Sequence, residues 1–251
     1  MQITIRFYEE LNDFLPAKHR KKPVSFDVQI NTSVKDAIEA LGIPHTEVDL
    51  ILVNSHPVDF SYNLKPGDYI SVYPKFESID ISLVTRVREE PLRSTKFILD
   101  VHLGQLAKYL RILGFDSVYT NSLEDQEIID QSLAEHRIIL TRDYGILKHR
   151  KVTHGYYVRS QDSRIQLKEV IRRFDLKKKL KPFTRCSLCN GIIQKVNKGE
   201  IDHLLEEKTK RHFNHFYQCS SCRKIYWEGT HYEDILRFIQ ELRGDNPENN
   251  R

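Results

Sequence analysis

Three short apolar runs between residues 97 and 143, each stopping at or near an aspartate, constrain this chain more than any other feature. Phe97-Ile98-Leu99 ends at Asp100, and the next segment sets Leu103, Leu106, Ala107, Leu110 and Leu113 at helical spacing before Gly114. Val118-Tyr119 follows. Asp125 then opens a segment carrying Ile128, Ile129, Leu133 and Ala134, and Ile138-Ile139-Leu140 leads through Thr141-Arg142 to Asp143. The order is βαβαβ. Continuously apolar strands between helices predict a parallel sheet covered on both faces, and right-handed crossovers put every strand C-terminus on one edge. Asp100 and Asp143 follow strands, and Asp125 opens a helix that begins at that edge, so three carboxylates are expected to converge. Gathered carboxylates repel one another and lose solvation, and a hard divalent cation, Mg²⁺ or Mn²⁺, relieves both costs. The same positions also suit two helix caps and a turn.

Charge is unevenly placed along the 251 residues. The formal net charge is +4, yet residues 144–185 hold thirteen Lys or Arg against three acids, an excess of ten beside a deficit of six elsewhere. A basic block directly after an acidic edge suits a polyanion, and a solvated basic helix is the plainer alternative. Leu167, Val170, Ile171 and Phe174 give that helix an apolar face, which leaves Lys168, Arg172 and Arg173 for the outside, and Tyr156-Tyr157-Val158 offers a fourth strand before it. No apolar run approaches membrane-spanning length. Ile3, Ile5 and Phe7 alternate with polar residues as in a strand, not as in a cleavable leader, so a cytoplasmic protein is expected.

The first 77 residues form a separate pattern. The strand at 3–7 is matched by Val24, Phe26, Val28 and Ile30. Ser33 and Asp36 then read as a helix cap before Val34, Ala37, Ile38 and Leu41, and strands at Leu50–Val53 and Tyr69–Tyr73 flank Lys65-Pro66-Gly67-Asp68. This ββαββ order is an α+β β-grasp arrangement. Residues 78–95 lack a sustained period and read as a linker, giving modules at 1–77, 96–182 and 183–243. His45 reads as a surface loop group.

The four cysteines of the chain form two Cys-x-x-Cys pairs, Cys186/Cys189 and Cys219/Cys222, twenty-nine residues apart. Two such knuckles suit a structural tetrahedral Zn²⁺, with a helical or loop insertion expected between Lys198 and Lys210. His212, His215 and His231 are left without a vacancy there. Tyr217, Tyr226 and Trp227 are expected to pack the small ribbon, and the last eight residues read as a polar tail.

The stretches Arg6-Phe7-Tyr8, Leu11–Leu15 and Pro44–Asn54 resemble the ubiquitin-like domain that precedes Mut-seven C-terminal RNase domains. Phe97–Gly104, Leu106–Asp116 and Leu140-Thr141-Arg142-Asp143 resemble the signatures of that RNase family, and Tyr226–Tyr232 resembles its ending. The resemblance implies a PIN-like α/β domain with a parallel sheet and a C-terminal zinc ribbon. It implies Asp100, Asp125 and Asp143 as metal-binding catalytic acids, with Asp116 and Asp162 as candidates for a remaining position and Glu124 or Glu127 as substitutes for Asp125. Related β-grasp sulfur carriers end in a free Gly-Gly, whereas this module continues through Pro74-Lys75, so a docking role toward a protein partner is expected.

The expected function is Mg²⁺- or Mn²⁺-dependent hydrolysis of RNA, with Arg111, Arg142, Lys148, Arg150, Arg172 and Arg173 as candidate phosphate contacts. Two competing classes are a non-catalytic RNA-binding or ribosome-associated adaptor and a phosphoacceptor-like signalling module.

Overall fold

The computed structural model describes residues 1–74, 85–87 and 95–243. Most of the linker expected at 78–95 and the tail after 243 lie outside these. The N-terminal alternation produces β1 (Gln2–Phe7), whose Ile3, Ile5 and Phe7 point inward, and β2 (Val24–Asp27) pairs with it antiparallel. β2 stops at Asp27, and Ile30 is exposed instead of continuing it. Ser33 caps α1 (Val34–Ala40), accepting the Asp36 N–H at 3.1 Å. β3 (Val48–Val53), the short β4 (His56–Val58) and β5 (Tyr69–Pro74) complete a mixed sheet ordered β2-β1-β5-β3-β4. β4 is too short to leave a sequence period. One face of the sheet and α1 enclose Ile5, Leu11, Ile38, Ile51 and Ile70, all fully buried, which makes this the ubiquitin-like β-grasp.

The second half continues with β6 (Lys96–Leu99), α2 (Gly104–Ile112), β7 (Asp116–Val118), α3 (Asp125–Glu135), β8 (Ile138–Thr141), α4 (Tyr144–Lys148), β9 (Gly155–Tyr157) and α5 (Ser163–Arg173). β6, β8 and β9 pair in parallel, with Leu99 opposite Leu140 and Leu140 opposite Tyr156. Phe97, Ile98, Leu99, Ile139 and Leu140 are wholly buried, as continuous apolar strands require. The chain closes with β10 (Ile193–Val196), α6 (Lys198–Ile201), α7 (Glu207–His212), β11 (Phe216–Cys219), β12 (Ile225–Trp227) and α8 (Thr230–Arg243), in which β10, β11 and β12 form an antiparallel ribbon. The insertion expected at 198–210 is thus largely helical. No helix among the described residues is long and apolar enough to cross a membrane.

Contacts divide the chain into two units, Met1–His102 with Asn121–Arg159, and Leu103–Thr120 with Ser160–Arg251. The first joins the β-grasp to β6, α3, β8, α4 and β9. Its contact centres on a 3-10 turn, His45–Glu47, which covers the outer edge of β9. Glu47, with no exposed surface, accepts the Tyr157 N–H at 2.5 Å. His45 donates from Nε2 to the Val152 carbonyl at 2.6 Å and meets Glu39 through Nδ1 at 2.6 Å. Lys148 donates to the Glu39 carbonyl at 3.2 Å. The expectation of a surface His45 is therefore corrected: its loop closes a sheet edge, and the ring is 6% exposed.

In the second unit α2 packs on α5, and Gly114 turns the chain out of α2 at φ +92°. A Cβ at Gly114 would stand 2.2 Å from the Lys181 carbonyl oxygen. Gly114→Ala combines left-handed strain with a backbone clash, so it is expected to cost about 3 kcal/mol or more, read as a lower urea midpoint.

Candidate metal centres

The strand register sets the acidic edge. Because Leu99 lies opposite Leu140, Asp100 and Thr141 stand side by side one residue later, and the Asp100 N–H donates to the Leu140 carbonyl at 3.1 Å. Thr141, fully buried, donates its hydroxyl to Asp100 Oδ2 at 2.8 Å and accepts the Asp143 N–H on the same oxygen at 2.8 Å. One hydroxyl therefore links the Asp100 carboxylate to the Asp143 backbone. Thr141 was not singled out from sequence, where it read only as part of a motif. Asp143 also caps α4, accepting the Gly145 N–H on Oδ1 at 2.6 Å, and its side chain is exposed while Asp100 is buried.

Asp125 is the first residue of α3. Glu124 is the cap residue before it, and Glu127 accepts the Glu124 N–H at 2.9 Å, so Glu127 serves the capping box. The Asp125 carboxyl is raised above its ordinary range by burial first, and then by the charges of Asp143, Asp100 and Glu124. These acids feel one another across the edge, although among the described residues only the four cysteines gather as ligands within 4.8 Å. The donor set, all carboxylate and partly solvent-facing, fits a hard oxygen-seeking cation.

Asp116 and Asp162 have other partners. Asp116 accepts from Asn190 at 2.9 Å and Arg185 at 3.2 Å, and Asp162 caps α5 through the Arg164 and Ile165 N–H groups, both at 2.9 Å. Two phosphate-contact expectations are corrected. Arg111 is 4% exposed and donates to the carbonyls of Ser117 (2.8 Å), Leu188 (2.7 Å), Tyr119 (3.3 Å) and Ser187 (3.4 Å). Arg173 is 5% exposed, because it follows Gln166 and Val170 on the inward face of α5. Arg142 donates to the Arg159 carbonyl at 2.9 Å and keeps partial exposure, while Arg150 and Arg172 are exposed.

The cysteines form two matching turns. Cys186 N–H donates to Gly191 O at 2.7 Å and Asn190 N–H to Cys186 O at 3.0 Å; Cys219 N–H donates to Lys224 O at 2.9 Å and Arg223 N–H to Cys219 O at 3.1 Å. Asn190 and Arg223 hold the equivalent left-handed positions, φ 70° and 65°. Gly191 is required by close approach, since a Cβ would lie 2.8 Å from Cys219 Sγ. Sulfurs of opposite turns come to 3.6 Å (Cys186/Cys222) and 3.4 Å (Cys189/Cys219). Burial raises the Cys186 thiol, but hydrogen bonds led by the Tyr226 hydroxyl outweigh it and bring the group down to about 6. Four convergent sulfurs with backbone N–H support fit a thiolate-bound metal ion with no open position. Arg111 braces the first turn through Ser187 and Leu188, a supporting role invisible in the sequence.

The model of the Mut7-C RNAse domain matches residues 95–239, and that of the Mut7-C ubiquitin domain matches residues 1–80. The crystal structure of SAMP1 from Haloferax volcanii is similar over 30% of this chain and 97% of that chain, at 19% identity and a TM-score of 0.25. No curated protein matches significantly. With more than half of its residues inside the first match, the chain belongs to the Mut7-C RNAse domain family and carries that family's ubiquitin module at its N-terminal end.

Proposed function

We propose that the protein is a Mg²⁺- or Mn²⁺-dependent, PIN-like ribonuclease of the cytoplasm that hydrolyses RNA phosphodiester bonds at the Asp100, Asp125 and Asp143 edge. The observation that carries this reading is the Thr141 hydroxyl joined to the Asp100 carboxylate and the Asp143 N–H, with Asp125 raised by burial and then by the charges of both acids. Bound by these acids, the cation would neutralise a phosphate oxygen and lower the pKa of the attacking water. The chain's own part is positional. Thr141 fixes the Asp100 carboxylate, the Gly145 N–H fixes one oxygen of Asp143, and Asp125 opens α3 within reach of both charges. Arg142, Lys148, Arg150 and Arg172 supply positive charge for the phosphate backbone. The cysteine cluster would hold structural Zn²⁺ and present the ribbon to RNA, and the β-grasp remains the place for a protein partner. The modules 1–77, 96–182 and 183–243, joined by 78–95, carry these separate roles.

The structural duties of the acids favour one competitor, a non-catalytic RNA-binding or ribosome-associated adaptor in which Asp143 merely caps α4. A cleavage assay on a mixed RNA pool separates the two. Asp100→Asn and Asp143→Asn are each expected to lower Mn²⁺-dependent cleavage by about 100-fold or more; activity within about threefold of wild type overturns the assignment.

Stability provides a second test that needs no turnover. Because folding raises the Asp125 pKa, ionisation opposes folding, and stability falls as pH rises through the carboxyl range. Asp125→Asn is therefore expected to raise Tm by about 1–2 °C at pH 7 without divalent metal, with the gain shrinking toward pH 4. In millimolar Mg²⁺ or Mn²⁺ the order should reverse, since only the wild type gains by binding.

Zinc removal should act locally. Trp227, the sole tryptophan, lies on β12 beside the cysteine turns, so a chelator is expected to shift its emission while most of the far-UV signal of the remaining fold persists. Unchanged emission after release of one metal equivalent would rule out a structural role.

A further inference from the structure

Beside the acidic edge lies an aromatic surface that the proposed chemistry leaves unused. Tyr157 is paired with Thr141 across β8 and β9, so it stands level with Asp100 and Thr141 on the same face of the sheet. Tyr144 immediately follows Asp143. Its ring stacks on that of Tyr157 at 4.1 Å and 11°, and it is 39% exposed. Phe14, from the β-grasp, meets both rings edge-on at 5.4 and 5.8 Å. Arg159 lies over Phe14 at 5.2 Å and reaches Asp13 at 3.4 Å and Glu47 at 3.6 Å, which holds the group from behind.

Resting on the ribonuclease reading, we propose that the Tyr144–Tyr157 stack, backed by Phe14, is a nucleobase subsite for single-stranded RNA next to the Asp100–Asp143 edge. A ring pair stacked at 11° and flanked by Phe14 offers a π-face to an unstacked base. Arg142 and Lys148 belong to the same unit and supply charge for the strand that carries the base. A duplex hides its bases in the stack and would not fit such a surface, so the ligand class is unpaired RNA. In this arrangement Phe14 makes the ubiquitin module part of the substrate wall.

The test is binding by the full-length, zinc-loaded protein without added Mg²⁺ or Mn²⁺, so that cleavage is not the readout. Fluorescence anisotropy compares labelled octa-adenosine with an oligomer of the same backbone that lacks bases. Wild type is expected to prefer the base-bearing strand by about fivefold or more, the scale of one stacked base. Tyr144→Phe should keep that preference. Tyr144→Ala should abolish it, and so should Tyr144→Leu, which preserves apolar packing if the alanine variant folds poorly. No preference in wild type, a preference that survives Tyr144→Leu, or its loss in Tyr144→Phe overturns the subsite. A base preference in a protein that cleaves no RNA would sink the nuclease reading and leave the subsite standing.

Discussion

The acidic edge depends on one buried hydroxyl. Thr141 donates to Asp100 and accepts from the backbone of Asp143, so the two acids are set by a single side chain whose own position is fixed by the β6–β8 register. A buried carboxylate is costly without a donor, and Thr141 supplies one. The same hydroxyl receives the Asp143 N–H where β8 gives way to α4. Asp143 then caps that helix and remains exposed. One acid is thus held inside while the other faces solvent, and Asp125 feels the charge of both from a third element.

Such an edge carries unfavourable charge that the rest of the fold must tolerate. The Asp125 carboxyl is raised by burial first and then by the charges of Asp143, Asp100 and Glu124, so its ionised form opposes folding. Support comes from the flank. β9 is a sheet edge; Glu47 of the β-grasp takes the Tyr157 N–H, and His45 takes the Val152 carbonyl in the loop that leads into the strand. Those bonds satisfy groups that an open edge would offer to another chain. The ubiquitin module and the strands that bear the acids are therefore one contact unit.

The cysteine ribbon follows a parallel logic in the second unit. Each turn has the same hydrogen bonds and the same left-handed residue, so the two sulfur pairs are presented alike. Arg111 and Asn190 then tie the first turn to neighbouring backbone: Arg111 donates to Leu188, and Asn190 accepts from the Ser117 N–H at 3.0 Å. A buried guanidinium used in this way resembles an ordinary basic residue when read along a helix.

Local patterns were sufficient for much of this. Apolar runs of three or four residues ending at Asp100 and near Asp143 mark strands and the edge they share, helical spacing marks α2, α3 and α5, and paired Cys-x-x-Cys spacing marks the ribbon, because each signal comes from neighbours in the chain. Tertiary packing alone decided the rest. That Thr141 bridges the acids, that Arg111 and Arg173 turn inward, and that His45 is buried on the loop before β9 depend on contacts between segments as many as 107 positions apart, as for His45 and Val152. Sequence periodicity says which side of an element is apolar, but not which distant carbonyl, carboxylate or strand edge will meet it there.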